Sequence, residues 1–249
     1  MTALLDVVGL SKRYGETVAL RGADIAFAPG TIHVVLGENG SGKSTLVKIL
    51  SGIVAPSEGR VVLDGTVVAR FEPVALQRAG VGTLFQEVLI APDRSVTDNI
   101  LLGVDGVFLR RIPRARRASF AAELLARVTR APIDIAAPAG ALPLAQRQLV
   151  VLARALAKNP RVLILDEVTA ALDFGDRDAV FAFMRSFVAQ GGLIIFITHR
   201  IDEVQDLGDA ITILRSGRVV RTLARGEVDV PTLLGLMAPA TLDAVDNAA

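Results

Sequence analysis

The chain has 249 residues, 27 basic side chains against 26 acidic ones, and no cysteine. A net charge of +1 offers no global field for nucleic acid or an anionic membrane, and the missing cysteine excludes a disulfide framework and thiolate chemistry. Hydrophobic residues make up 51% of the chain, yet no run approaches the ~18 apolar residues of a membrane span, and the length suits one large domain or a core with a smaller subdomain.

The first fifteen residues, MTALLDVVGLSKRYG, lack the basic start and apolar core of a signal peptide. Segments 4–10, 18–27, 60–64 and 67–70 read as antiparallel strands, punctuated by the turn signals RYGE, APGT, SEGR and LDGT. Tyr14, the only tyrosine, falls in the first of these turns, where its ring either packs or stacks on a base. TIHVVLG (31–37) is β-branched and apolar on both alternating faces, as a strand buried on both sides of a parallel sheet is. His33 lies inside it and is expected to be a packed core residue.

That strand runs into GENGSGKST (37–45) and then a helical pattern over 43–51. The frame Gly37, Gly42, Lys43, Ser44 is a phosphate loop in the strand–turn–helix context the motif requires. Gly37, Gly40 and Gly42 let the main-chain amides of Glu38, Asn39, Ser41 and their neighbours curl around an anion, and the following helix, entered through Thr45, points its positive end there. Lys43 is placed to reach the β- and γ-phosphates and the Ser44 hydroxyl to ligate Mg²⁺. Lysine occurs only at 12, 43, 48 and 158 in a chain otherwise supplied with arginine, so its choice at 43 is informative.

VGTLFQ (81–86) is a further strand and ends in Gln86, whose neutral amide suits contact with Mg²⁺ and water. Residues 88–158 then carry helices and few strands, with helical patterns over 114–130 and 144–157, and read as an inserted helical subdomain. The arginine-rich stretch 110–130 favours a solvated helix face over a nucleic-acid surface. Phe120, Leu124, Leu125 and Val128 define its inward side, and no interleaved aromatics offer stacking on bases.

RVLILDE (161–167) is a buried strand ending in two acids, either a helix cap or a ligand edge. With the phosphate loop upstream the second reading prevails: Asp166 holds Mg²⁺ and Glu167 polarises the attacking water. A helix over 176–190 follows, then LIIFITH (193–199), a strand ending in His199, a helix over 200–207, and the strand AITILRSG (210–217). Strands alternating with helices give an α/β core, and the small polar tail over 238–249 is expected to be mobile.

Taken together, these residues resemble the ATP-binding subunit of ABC transporters over nearly the whole chain, 1–249, as a single domain. The resemblance implies a RecA-like P-loop NTPase core with an N-terminal antiparallel β-subdomain and the inserted helical subdomain. Tyr14 matches the adenine-stacking aromatic, GENGSGKST Walker A, Gln86 the Q-loop, LILDE Walker B with Glu167 as catalytic glutamate, Asp173 the D-loop, and His199 the switch histidine. The signature loop aligns with Leu142, Pro143, Leu144, Ala145 and Gln146, which in the family docks onto the nucleotide of a partner subunit. Pro143 departs from the usual serine, removing a hydroxyl and an N–H donor, and implies weak hydrolysis; Val168 and Ala170 are milder departures.

Local wording such as LPLAQRQLVVLARAL and ITHRIDEV is similar to the carbohydrate-uptake, ribose/galactose type. The resemblance thus implies an ATPase that uses ATP and Mg²⁺ and couples to membrane permease subunits on the inner face of the cell membrane. It also implies a second ATP-binding domain, in a homodimer or an asymmetric pair, and indirectly a solute-binding protein. The lever against the permease is expected at roughly 87–110. A soluble ABC-type ATPase without a transport role and a low-turnover regulatory subunit are the alternatives.

Overall fold

A computed structural model describes residues 3–104, 112–227 and 229–237. The predicted tail at 238–249, the end of the 87–110 lever and the first arginines of the 110–130 stretch lie outside the described residues.

The chain opens with two long antiparallel strands, β1 (Leu5–Tyr14) and β2 (Thr17–Phe27). β3 (Ile32–Leu36), fully buried, leads into helix α1 (Lys43–Leu50). β4 (Glu58–Leu63), β5 (Thr66–Val67), α2 (Pro73–Arg78) and β6 (Val81–Leu84) follow. The strand expected over 67–70 is thus only two residues at Thr66–Val67, against β4. The next stretch carries, among the described residues, the α-helices α3 (Val96–Ile100), α4 (Arg117–Ala126) and α5 (Leu144–Leu156). The chain then alternates β7 (Val162–Asp166), α6 (Phe174–Ala189), β8 (Leu193–Ile197), α7 (Ile201–Leu207) and β9 (Ala210–Arg215). β10 (Arg218–Ala224) and α8 (Val230–Met237) are the last elements among the described residues.

Two sheets result. One is antiparallel, in the order β2-β1-β4-β5; the other runs β10-β9-β3-β8-β7-β6, parallel throughout except for the edge hairpin β9–β10. Side-chain alternation sorts each central strand between two cores. Val34, Leu165 and Phe196 pack under α5 and α6, whereas Val35, Ile164 and Ile195 pack against α1 and the antiparallel sheet. Because β3, β6, β7 and β8 run parallel, their carboxyl ends share one edge, where open α/β sheets bind ligands.

The helix predicted over 114–130 is shorter than its apolar pattern. It begins after Pro113 with a 3₁₀ turn at Arg114–Arg116 and ends at Ala126. Thr129 breaks it: its hydroxyl donates to Asp176 Oδ1 at 2.7 Å and accepts from the Ala131 amide at 3.0 Å, competing with the next helical turn. Its apolar side is nonetheless inward, with Leu124, Leu125 and Val128 buried and Phe120 packed on the same core.

His33 is buried as expected, with a polar partner the sequence did not suggest. Its Nε2 lies 2.7 Å from Thr212 Oγ1, which lies 2.8 Å from Thr222 Oγ1, and its ring meets Phe27 edge-on at 4.6 Å. Burial pushes its pKa down to about 4. The unfolded imidazole titrates near 6.5, so on acidification the unfolded chain takes up this proton first. Stability from this group is complete above about pH 6.5 and is lost as pH falls towards about 4, on the order of 3 kcal/mol. His33→Gln is expected to flatten that part of the pH dependence in urea melts. An unchanged difference between the two chains across this window would contradict the assignment.

Candidate functional site

The loop after β3 is shaped by close approach. A Cβ on Gly37 would lie 2.2 Å from Leu214 O and 2.6 Å from Ser41 Oγ, and one on Gly42 would lie 2.8 Å from Ala19 O. Both also have positive φ, 154° and 109°, so only glycine fits without rearrangement. The turn is closed by Ser41 N donating to Glu38 O and by Gly217 N donating to Ser41 O. Gly42 then caps α1 with no side-chain bond, which leaves the first amides of the helix open to an anion.

A cavity of about 560 Å³ opens over this loop. Asn39, Gly40, Ser41, Gly42, Lys43, Ser44 and Thr45 form one wall. Thr17, Val18 and Ala19 of β2 form another, and Gln86, Asp166 and Glu167 face the loop from the ends of β6 and β7. Gly37 and Glu38, expected from the sequence to line the site, are not on its wall; their carbonyls accept from Lys43 Nζ at 2.6 and 2.9 Å.

Glu167 is the centre of the polar group. Its Oε2 accepts from Gln86 Nε2 at 3.0 Å, and its Oε1 lies 3.1 Å from His199 Nδ1. Three residues from three strand ends, far apart in sequence, thus meet on one carboxylate. The aim depends on an uncommon backbone: Glu167 has φ 52°, a left-handed conformation for a non-glycine residue. Burial and then the neighbouring Glu167 charge raise the Asp166 pKa to about 6, with Lys43 opposing. Burial lowers the Lys43 pKa, while Glu167 and Asp166 raise it. The cavity therefore holds one ammonium facing two acids. Asp166 binds its proton more tightly folded than unfolded, so its effect on stability between about pH 4 and 6 runs opposite to that of His33.

Other residues singled out from sequence stand outside this cavity. Tyr14 is 45% exposed, pairs with Thr17 at the rim and carries Lys12 Nζ 5.2 Å above its ring. Asp173 caps α6, its Oδ1 accepting from Asp176 N at 2.9 Å. Leu142, Pro143, Leu144, Ala145 and Gln146 lie at the start of α5 and line no part of the cavity. Pro143 is the N-cap residue and contributes no side-chain bond. Arg147 fastens the loop instead, donating to Leu142 O at 2.7 Å and Gly140 O at 2.6 Å.

Sequence reasoning passed over Gln148, which is buried and donates to Glu167 O at 3.3 Å. A signal existed: Gln148 is a polar residue on the face of α5 otherwise formed by Leu149, Leu152, Ala153 and Leu156. It also passed over Arg154, whose guanidinium donates to Leu89 O and Asn99 O and so ties α5 to the segment after Gln86.

The ABC transporter family model matches residues 20–170. The ribose import ATP-binding protein RbsA 1 of Rhizobium johnstonii is 46% identical over 223 residues, covering 90% of this chain and 44% of that protein. Its counterpart in Mesorhizobium japonicum is 41% identical over 234 residues, covering 94% and 45%. The chain thus spans less than half the length of these relatives. Among solved structures, the dimeric post-hydrolysis ATP-binding cassette MJ0796 bound to ADP and Pi superposes with a TM-score of 0.79 at 25% identity, covering 89% of this chain and 98% of that one. The cbiO1 cassette from Clostridium perfringens gives 0.76 at 28% identity, covering 91% and 90%.

Proposed function

The chain belongs to the ABC transporter family, and on that premise we propose that it is an ATP-hydrolysing, energy-coupling subunit of a transporter that imports a sugar or related small polar solute. One observation carries the chemistry: the Glu167 carboxylate, held between Gln86 and His199, faces the cavity that the phosphate loop lines. The loop amides and the start of α1 bind the phosphates, and Lys43 leaves the Gly37 and Glu38 carbonyls for the β- and γ-oxygens. Glu167 takes the proton of the attacking water, oriented by Gln86, and His199 meets the γ-phosphate. Tyr14, at the rim, is within the hairpin that would approach the base.

Mg²⁺ fits the donors present. Ser44, Asp166 and Gln86 line one cavity and offer only oxygen to a hard cation. Among the described residues no cluster of three or more His, Cys, Asp or Glu side chains forms a cation cage, so phosphate oxygens would complete the shell. When bound, the ion neutralises phosphate charge beside Asp166 and Glu167.

Leu142–Gln146 lines no part of its own cavity and Leu144 is 57% exposed, which supports engagement of a second ATP-binding domain in a homodimer or an asymmetric pair. Beside Gln86, a groove of about 160 Å³ lined by Phe85, Glu87, Leu89, Arg154 and Lys158 supports docking of a membrane permease, and Leu89 is 67% exposed there. Among the described residues no helix is long and apolar enough to cross a membrane, so attachment at the inner face would run through that permease, with the solute-binding protein contacted only indirectly. The sugar assignment follows the relatives named above. Coexpression with the permease of the same transport system tests the reading. Copurification and permease-stimulated phosphate release support it, and release without any permease association favours the soluble, non-transport ATPase.

A low-turnover regulatory role is the second reading, favoured by Pro143, which puts neither a hydroxyl nor an N–H of its own at the helix start. Two donors lost to a charged phosphate cost on the order of 3 kcal/mol. Pro143→Ser is therefore expected to raise steady-state ATPase at least tenfold if the chain pairs with itself. No gain in rate would show that the loop is not limiting.

A further inference from the structure

We infer that Gln148 is a positioning residue that aims Glu167, and that through it the helix bearing the signature loop controls whether water is activated in the same subunit. The inference rests on the reading of Glu167 as the base given above and goes beyond it by naming what holds that base in place.

Gln148 is 3% exposed and sits among Leu149, Val150 and Leu152 on the buried side of α5. Its Oε1 is buried with no hydrogen-bond partner. An unpaired buried acceptor destabilises the fold, and a leucine here would avoid that cost. The amide does make one bond: Nε2 donates to the Glu167 carbonyl at 3.3 Å.

That carbonyl belongs to a residue whose main chain is held on both sides of its Cα. Glu167 N donates to Ile197 O at 3.0 Å, and Glu167 O accepts from Ala170 N at 3.2 Å as well as from Gln148. These bonds hold Glu167 at φ 52°, a sparsely populated region that persists only when its surroundings impose it. Relaxation to the ordinary extended region would turn the side chain away from Gln86 and His199. Among the described residues, Gln148 is the only partner of the Glu167 main chain from outside the parallel sheet and its own turn. It lies about one turn along α5 from Pro143 and Leu144. Movement of the signature loop against a partner subunit is thereby passed to the Glu167 peptide through a single amide.

Gln148→Leu, with similar volume and no donor, is the test, with Gln148→Glu beside it. The leucine variant is expected to cut single-turnover cleavage of MgATP at least tenfold, with MgATP affinity within twofold of the parent and an unchanged or higher melting temperature. Hydrogen exchange at the Glu167 and Ala170 amides should quicken. The glutamate variant, which sets an acceptor against the carbonyl, should be slower still. Cleavage within twofold of the parent, or a melting temperature that falls in step with the rate in both variants, would overturn the inference in favour of a packing role. If the parent itself cleaves no ATP, the hydrolase reading fails; the exchange measurement then decides this inference alone, faster exchange supporting it and unchanged exchange overturning it.

Discussion

Glu167→Gln is expected to lower single-turnover cleavage of ATP by about 10²–10⁴-fold, the range that removal of a positioned general base produces. The substitution keeps the side chain's size and a carbonyl oxygen for the Gln86 Nε2 donor at 3.0 Å, so the loop and the carboxyl ends of the strands stay as they are. What it removes is the basic oxygen, and with it a negative charge beside the phosphate site. That charge helps to push the Asp166 pKa to about 6, so the variant's Asp166 should ionise more readily and MgATP binding should be kept or strengthened. Quenched-flow measurement of phosphate release, with nucleotide binding followed in parallel, separates the two effects. A rate within tenfold of the parent would remove Glu167 from its role.

Lys43→Ala should act on the other half of the cycle. Among the described residues Lys43 is the only basic side chain on the cavity wall, and it bonds to Gly37 O and Glu38 O, which lie at the start of the phosphate loop. Burial pulls its pKa down, and Glu167 and Asp166 hold the proton on. Its loss removes charge-assisted bonds to phosphate, each contributing ~1.5–3 kcal/mol, and leaves two acids facing the triphosphate. The dissociation constant for MgATP should rise on the order of 100-fold or more at unchanged melting temperature. Equilibrium titration checks this, and affinity within threefold of the parent would contradict it.

The parallel strands were legible because each is apolar on both faces. TIHVVLG, RVLILDE and LIIFITH have no polar side to place, and β3, β7 and β8 are buried almost throughout. The hairpin partner β10 was not, since Arg218 and Arg221 mark it as a solvated edge. Yet its turn was written in Ser216-Gly217, both at positive φ, a two-residue hairpin signal that went unread. α4 was overlong in the sequence reading because periodicity does not record that Thr129 spends its hydroxyl on Asp176 and Ala131.

For the candidate site, strand-end position was the useful clue. Gln86, Asp166 and His199 each follow a buried apolar run, and parallel packing gathers such ends on one edge. The pairings were beyond reach of the sequence: nothing in it says that Gln86 and His199 take separate oxygens of Glu167, or that Glu167 needs a left-handed backbone to reach them. Gln148 shows the complementary failure. A polar residue on an apolar stripe was visible in LAQRQLVVLARAL, but its partner, a main-chain carbonyl at the end of β7, carries no side-chain signature.

The central feature of the proposed site is a loop that grips the phosphate chain rather than the base. Calorimetric titration of the purified chain with MgATP, repeated in the presence of excess AMP, tests it most directly. Saturable MgATP binding that AMP fails to displace is the predicted result. No heat of binding, or displacement by AMP at concentrations comparable to ATP, would contradict it.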